Sequence, residues 1–456
     1  MTELFSNQEA LLDAAHFTRM TGRVVEISGL SIVACGLPMP IGSFFTIARR
    51  HGDAVPAQII ALQGDRQVLM ALEEPLGIAV GDAVCSAPGL QHVAVGEAML
   101  GCVLDGLGRP IGEKRTFTPQ AYRAVVRPAP KALEREPIES ILSTGVRSID
   151  AMHTVGSGQR LGIFAGTGVG KSVLMGMMTR NTNADVTVVA LIGERGREVG
   201  DFIRKDLGEA GLARSVLVVS TSNESPVLRV RASFVATAVA EYFRDQGADV
   251  LLLLDSTTRV AMAQREIGLA AGEPPTTKGY PPSVFGLLPK LLERSGKTAG
   301  GSITGLYTVL VEGDDISEPI SDAVRGILDG HVWLSRDLAN RGHYPAVSVL
   351  ESISRVMPDV VTQAHRDAAL AVRRVLAVWN DIEDLVNVGA YAKGANVEFD
   401  LAVAMKPKID AFLRQSSDEH ADLTETVEAL TKLADEIGQA RESLTTAHNS
   451  RAAVTV

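Results

Sequence analysis

The sequence predicts a multidomain chain with a small N-terminal β-barrel, a central α/β domain built on a mainly parallel sheet, and a C-terminal α-helical domain. Three observations carry this. Between residues 22 and 96, short apolar runs are broken repeatedly by glycine, the pattern of a small barrel. After Pro137 the apolar period alternates between that of strands and that of helices, as crossover connections require. After Pro358 strand signals fade and long helical periods take over.

Residues 1–20 contain Ser6-Asn7-Gln8-Glu9, a capping box in form, with Leu4 and Phe5 before it and Leu11, Leu12 and Ala15 after it at helical spacing. A short amphipathic helix with one apolar face is expected. The barrel is expected over residues 21–98. Runs at 23–27, 58–62 and 67–72 read as strands, and Gly64-Asp65 joins the last two as a hairpin. The α/β domain is expected over residues 99–358. Residues 110–137, rich in proline and charge, read as a connector. Beyond them 161–165, 186–192 and 250–254 read as strands, the last fully apolar as a central strand should be. Residues 172–180 read as a helix. So do residues 227–244, with an apolar stripe of Leu228, Val235, Val239 and Phe243. The helical domain is expected over residues 359–456, with helices near 360–386, 399–413 and 423–444 and a frayed, polar last dozen residues.

Composition excludes several classes. The chain has 456 residues and is 46% hydrophobic, enough for two or three cored domains. A net charge of −10 argues against a nucleic-acid footprint. Cys35, Cys85 and Cys102 show neither metal spacing nor a disulfide framework, which suits small core residues in a reducing cytosol. No run approaches the roughly 20 apolar residues of a membrane span. The first residues carry Glu3, Glu9 and Asp13 without a basic region, unlike a secretory signal.

The strongest motif is Ala165-Gly166-Thr167-Gly168-Val169-Gly170-Lys171-Ser172, placed between a strand and a helix. Its glycines let successive backbone N–H groups face one anion, and the helix N-terminus adds its positive dipole end. Lys171 can reach the β- and γ-phosphates of a nucleotide, and the Ser172 hydroxyl can ligate Mg²⁺. Ala165 stands where the strict pattern has glycine; Gly166, Gly168 and Gly170 supply the freedom. The expected ligands are ATP and Mg²⁺, with the nucleotide cradled by Gly166, Thr167, Gly168, Val169, Gly170, Lys171 and Ser172.

Acids at strand ends complete the chemistry, because ligands of open α/β sheets sit at the carboxyl ends of strands. Asp255 ends the run Leu251–Leu254 and is expected to hold Mg²⁺, usually through water; the bland alternative is a helix cap, since Ser256, Thr257 and Thr258 follow. Glu194 follows the run 186–192. If that strand neighbours the phosphate-loop strand, its carboxylate faces the γ-phosphate and can polarise the attacking water. Glu198, four residues on, is a candidate contact to the metal or a partner of Arg195.

These motifs, with Val95-Gly96-Glu97-Ala98-Met99-Leu100-Gly101, Thr144-Gly145-Val146-Arg147-Ser148-Ile149-Asp150 and the run from Gly272 to Phe285, resemble the ATPases of type III protein export, flagellar and virulence-associated. The likeness covers residues 20–413 and extends more distantly to the catalytic subunit of the rotary ATP synthase. It implies a RecA-like central domain and a Mg²⁺-dependent ATPase working as a homohexameric ring. It implies Glu194 as general base, Arg355 as an arginine finger entering the neighbour's site, Tyr344 as the aromatic that stacks on adenine, and Arg195 as a phosphate-side or interface residue. Base and finger on one polypeptide imply a complete site at every interface of a ring of identical chains. The resemblance further implies export chaperones and substrates, an export gate at the membrane and a stator-like regulator bound by the N-terminal helix. Its cellular place is then cytoplasmic, peripheral to the inner membrane. The flagellar system is preferred to the virulence-associated one on general frequency. The alternatives are a rotary-type synthase subunit, a hexameric nucleic-acid translocase and a nucleotide-binding regulator without turnover. The 272–285 run, the acidity of the chain and Glu194 disfavour them in turn. The polar segment after Arg414, with Asp418, Glu419, Glu425 and Glu428, departs from the family pattern.

Overall fold

The computed structural model describes residues 20–111, 116–311, 313 and 318–454. The amphipathic helix expected at the N-terminus lies outside the described residues.

The first layer is a closed barrel. Its strands are β1 (Thr21–Ser28), β2 (Ser31–Cys35), β3 (Phe44–Ile47), β4 (Val55–Gln63), β5 (Arg66–Ala71) and β6 (Ala83–Ser86). They close in the order β1-β2-β5-β4-β3-β6. Alternate residues point inward, so Val24, Ile32, Ala34, Phe45, Ile47, Ala57, Ile59, Leu69 and Val84 fill the interior. Bulges between Val24 and Glu26 and between Ile59 and Ala61 bend the strands toward closure. Gly64, with φ 65°, makes the β4–β5 turn read from the sequence.

The barrel ends earlier than expected. Strand β7 (His92–Val95) already packs Val93 and Val95 into the core of the second layer. Within the expected connector, β9 (Ala121–Ala124) pairs with β7, because the chain doubles back across that core. Between them β8 (Val103–Leu104) joins the main sheet. A small ribbon of β10 (Ile141–Leu142) and β11 (Val155–Gly156) precedes the remaining strands. These are β12 (Arg160–Ala165), β13 (Val186–Ile192), β14 (Ser215–Ser220), β15 (Asp249–Asp255), β16 (Gly296–Thr298), β17 (Gly301–Leu310), β18 (Gly330–Leu334) and β19 (Val347–Ser354). The sheet runs β19-β18-β12-β17-β15-β13-β14-β8, with β16 paired beside β17. It is parallel throughout except for β19, antiparallel to β18, and the β16–β17 pairing.

The sheet is buried on both faces, which is why its strands read as continuous apolar runs rather than alternating ones. Helix Pro226–Arg244 corrects the sequence reading of a single stripe. It is buried almost all round, Arg229, Arg231, Glu241 and Arg244 included. One side meets β13–β15; β7, β9 and helix Pro282–Leu292 cover the others. One pair of buried charges is fully bonded. Arg294, with no exposed surface, donates to both oxygens of Glu241 at 2.7 Å and to the Val125 carbonyl at 2.7 Å.

The third layer packs helices Gln363–Asn387, Val397–Leu413 and Leu423–Val454 against one another and against Ala151, Met152 and Val349 of the second. The last helix reaches Val454, so the frayed final dozen residues expected from their polarity are largely helical. Leu430, Leu433 and Ile437 bury at a spacing of one apolar face, and the ion pairs Lys408–Glu436 (2.6 Å) and Arg441–Glu398 (2.7 Å) flank it.

Candidate active site

Strand β12 ends at Ala165 and the chain turns through residues 166–170 into helix Lys171–Asn181. Gly168 (φ 78°) and Gly170 (φ 94°) take left-handed conformations that other residues resist. Thr167, Gly168 and Ser172 are exposed at this turn, where the helix presents its N-terminal N–H groups.

The premise by which Glu194 was to reach this turn is corrected. Strand β13 does not neighbour β12; β17 and β15 stand between them. The residues meet nonetheless, because parallel strands end at one edge of the sheet. Lys171 Nζ donates to Asp255 Oδ1 and lies 3.9 Å from Glu194 Oε1. Thr308, next in β17 after the Tyr307–Leu254 pairing, donates to Asp255 Oδ1 at 2.6 Å. Asp255 is therefore a buried carboxylate held from two sides. It is not the helix cap, since Ser256 Oγ accepts from the Arg259 N–H.

The Glu194 backbone is fixed by Ser222, whose N–H donates to its carbonyl at 3.0 Å. Burial pushes the Glu194 carboxyl up to about 7; the like charge of Asp255 adds to this, and Lys171 opposes it. A hydrogen bond between the Glu194 and Glu198 side chains also raises Glu194 and is the main cause holding Glu198 low. Glu198 meets Glu194 and, at 3.0 Å, Arg195. Arg195, expected as a phosphate-side or interface residue, points to the surface in the single chain. Its side chain is 77% exposed and paired with Glu198.

One residue escaped the sequence reading. Arg259 lies one helical turn past Asp255, and its charge lowers the Glu194 carboxyl. Gly193 (φ 73°) passes under it so closely that a Cβ there would sit 2.9 Å from the Arg259 side chain. Arg259 Nε is buried without a hydrogen-bond partner among the described residues. The sequence offers it only as the last residue of the run Leu253–Arg259, without a role.

Beside the phosphate turn opens a cavity of about 420 Å³. Gly168, Gly170, Val173, Met177, Leu334, Tyr344, Pro345 and Ala346 line it, together with Gln415, Ser416 and Ser417. No charged side chain is among the lining residues. Tyr344 is 46% exposed, and its ring covers Gly170, where a Cβ would lie 3.5 Å from it. The polar segment after Arg414 thus begins as a wall of this cavity rather than as an appendage.

Arg355 lies elsewhere. Strand β19 starts at Val347, paired with Leu334 level with Ala165, and ends at Ser354, paired with Gly330. Its eight residues span roughly 25 Å, so Arg355 stands at the opposite end of the sheet from Lys171. Arg355 is exposed there, its N–H donating to the Asp329 carbonyl at 3.0 Å.

Residues 145–354 match the ATP synthase alpha/beta family, nucleotide-binding domain. Residues 361–432 match the T3SS EscN ATPase C-terminal domain. The "Flagellum-specific ATP synthase" of Bacillus subtilis (strain 168) is 48% identical over 430 residues, 93% of this chain and 98% of that protein. The assembled ATPase EscN from the enteropathogenic E. coli (EPEC) type III secretion system superposes with a TM-score of 0.86 at 42% identity, covering 91% of this chain and all of that one. EscN in complex with its central stalk EscO superposes at 0.83, with 41% identity over the same share of each chain. With likeness of this depth across barrel, sheet and helices, the chain belongs to the family of flagellar and type III secretion ATPases.

Proposed function

We propose that this chain hydrolyses ATP to drive protein export through a flagellar or type III secretion apparatus. The observation that carries the reading is the convergence of Lys171, Asp255 and Glu194 from three separate elements onto one glycine turn. The turn and Lys171 bind the β- and γ-phosphates, and the charge-free cavity under Tyr344 takes adenine. Glu194 accepts a proton from a water whose oxygen attacks the γ-phosphorus; the bond to the β–γ bridging oxygen breaks, leaving ADP and phosphate. Arg259, whose charge reaches Glu194, adds positive potential where the γ-phosphate would lie.

Ser172, next to Lys171 in the chain, and Asp255, paired with it, offer a hydroxyl and a carboxylate, which suits Mg²⁺. No cluster of three or more metal-binding side chains exists among the described residues, so most ligands would come from phosphate and water, as this ion prefers. Bound there, Mg²⁺ would neutralise phosphate charge. Glu198 acts on that site through Glu194.

Arg355, at the far end of the sheet from Lys171, is read as serving the site of a neighbouring subunit, and its distance from its own site supports this. This favours a homohexameric ring with a complete site at each interface. By likeness to EscN with its stalk, the ring takes a central stalk partner. Residues 1–20 are proposed to dock a stator-like regulator, and export chaperones, their substrates and the membrane gate complete the set, without nucleic acid. No described helix is long and apolar enough to cross a membrane. The proposed place is the cytoplasm, peripheral to the inner membrane at the export apparatus.

The test is Glu194→Gln, which keeps the cradle and removes the base. Steady-state hydrolysis should vanish while ATP binding by titration calorimetry stays at wild-type strength. Near-normal turnover would refute the assignment.

A further inference from the structure

We propose that Gln415 is a positioning residue for the nucleotide base, acting on Tyr344 from the C-terminal helical domain. The proposal rests on the reading of the 420 Å³ cavity as the base site.

Gln415 comes just after helix Val397–Leu413, on a strap that crosses back to the sheet domain. The strap is exposed at Ser416, Ser417 and Asp418, yet Gln415 itself is only 5% exposed. Its backbone N–H donates to the Tyr344 carbonyl at 3.0 Å. Its side-chain Oε1 accepts from the Arg147 N–H at 2.8 Å. Its Nε2 donates to the Gly145 carbonyl at 2.9 Å and to the Glu419 carbonyl at 2.9 Å. The buried side-chain amide thus ties the 145–147 turn to its own strap, and the backbone N–H of the same residue, held in place by that tie, grips the Tyr344 shelf.

The anchor it grips is stiff. Gly145 (φ 69°) presses on helix Lys171–Asn181 so closely that a Cβ would stand 2.3 Å from the Asn181 Cβ. The buried Asp150 carboxylate accepts from the Thr144 N–H at 2.9 Å, the Thr144 hydroxyl at 2.7 Å and the Gly145 N–H at 3.0 Å. This turn is thus registered against the same helix that carries Lys171. Gln415 transfers that register to Tyr344. The Tyr344 ring is half exposed, and stacking on a base demands that its plane be held at contact distance from the opposite wall. The phosphate cradle needs none of this, since β12 and the helix hold it directly.

The two halves of the ligand separate the roles. Binding of ATP and of inorganic tripolyphosphate is measured by titration calorimetry on full-length wild type, Gln415→Ala, Gln415→Met, Tyr344→Ala and the double variant Tyr344→Ala with Gln415→Ala. Gln415→Met keeps the buried volume in case the smaller residue unfolds the strap. Both Gln415 variants should weaken ATP about five- to tenfold, the scale of a lost stacking contact. Tripolyphosphate should stay within about twofold, and the loss in hydrolysis should fall on KM rather than kcat. In the double variant the losses should not add, because Gln415 acts through Tyr344. Equal weakening of ATP and tripolyphosphate would make Gln415 a general structural residue and overturn the proposal. So would additive losses, or unchanged ATP affinity in both Gln415 variants. Wild-type ATP affinity in Tyr344→Ala would sink the base-site reading itself, a different failure.

Discussion

The Glu194 carboxyl, pushed up to about 7, makes the pH dependence of hydrolysis a test of its role. Four groups face it: Asp255 and Glu198 raise its proton affinity, and Lys171 and Arg259 lower it. A base must be ionised to accept a proton, so activity is lost on the acid side. With a pKa near 7, about one-tenth of the sites are ionised at about pH 6 and about nine-tenths at about pH 8. The profile of kcat/KM reports the free enzyme. It should therefore climb roughly tenfold across that interval and level off above it. Glu198→Gln replaces a bond that raises the Glu194 carboxyl with an amide that can donate to its charged form. The acid limb should then move to lower pH. Initial rates at low ATP and excess magnesium, taken on both proteins, give the comparison. Any protonation of the substrate is common to the two, so a displacement of the limb belongs to the enzyme. A flat profile between about pH 6 and 8, or a limb at one position in both proteins, would refute the reasoning.

Two further outcomes follow from the geometry. Arg355→Ala alone should bind ATP yet lose about 10³–10⁵ of turnover, the scale of an arginine finger. Mixed with Glu194→Gln subunits it should regain activity that neither variant has alone, since some interfaces then pair an intact base with an intact finger; inactive mixtures would refute action in trans. Arg294→Ala should cost about 3 kcal/mol in urea unfolding, the low end for a broken buried pair, because Glu241 keeps only Arg127 at 3.6 Å, and replacing both Arg294 and Glu241 with Met should restore most of that stability.

Much of the fold was legible because its signals are short-ranged. The barrel showed in glycine-punctuated strands, and the β4–β5 hairpin in Gly64-Asp65. Helix Pro226–Arg244 was found, but its all-round burial was not. Arg229, Arg231, Glu241 and Arg244 look like a solvent face until helix Thr257–Ala270, the barrel's Phe44, β7, β9 and helix Pro282–Leu292 close over them. The terminal helix was under-read for the converse reason. Its later turns are small and polar, and its order is carried by Leu430, Leu433 and Ile437 packing on the other two helices. At the site, Arg259 closes a recognisable run but gets no role from it, because an arginine on a helix is ordinarily a solvated charge. Its place beside Glu194 appears only once the fold sets Gly193 against its side chain.

By itself the sequence determined the order of the three layers, the glycine turn with Lys171 and Ser172, and the acids at the ends of apolar runs. Each depends on residues a few positions apart, where periodicity and turn chemistry act directly. Which of those residues meet was decided by tertiary structure alone. Sheet order sets two strands between β12 and β13, yet brings Glu194, Asp255 and Lys171 to one edge because parallel strands finish together. The same geometry sends Arg355 to the other edge, since β19 is the strand that runs backward. Gln415 reaches Gly145 across 270 positions of chain, a contact that exists only once the helical layer has packed against the sheet.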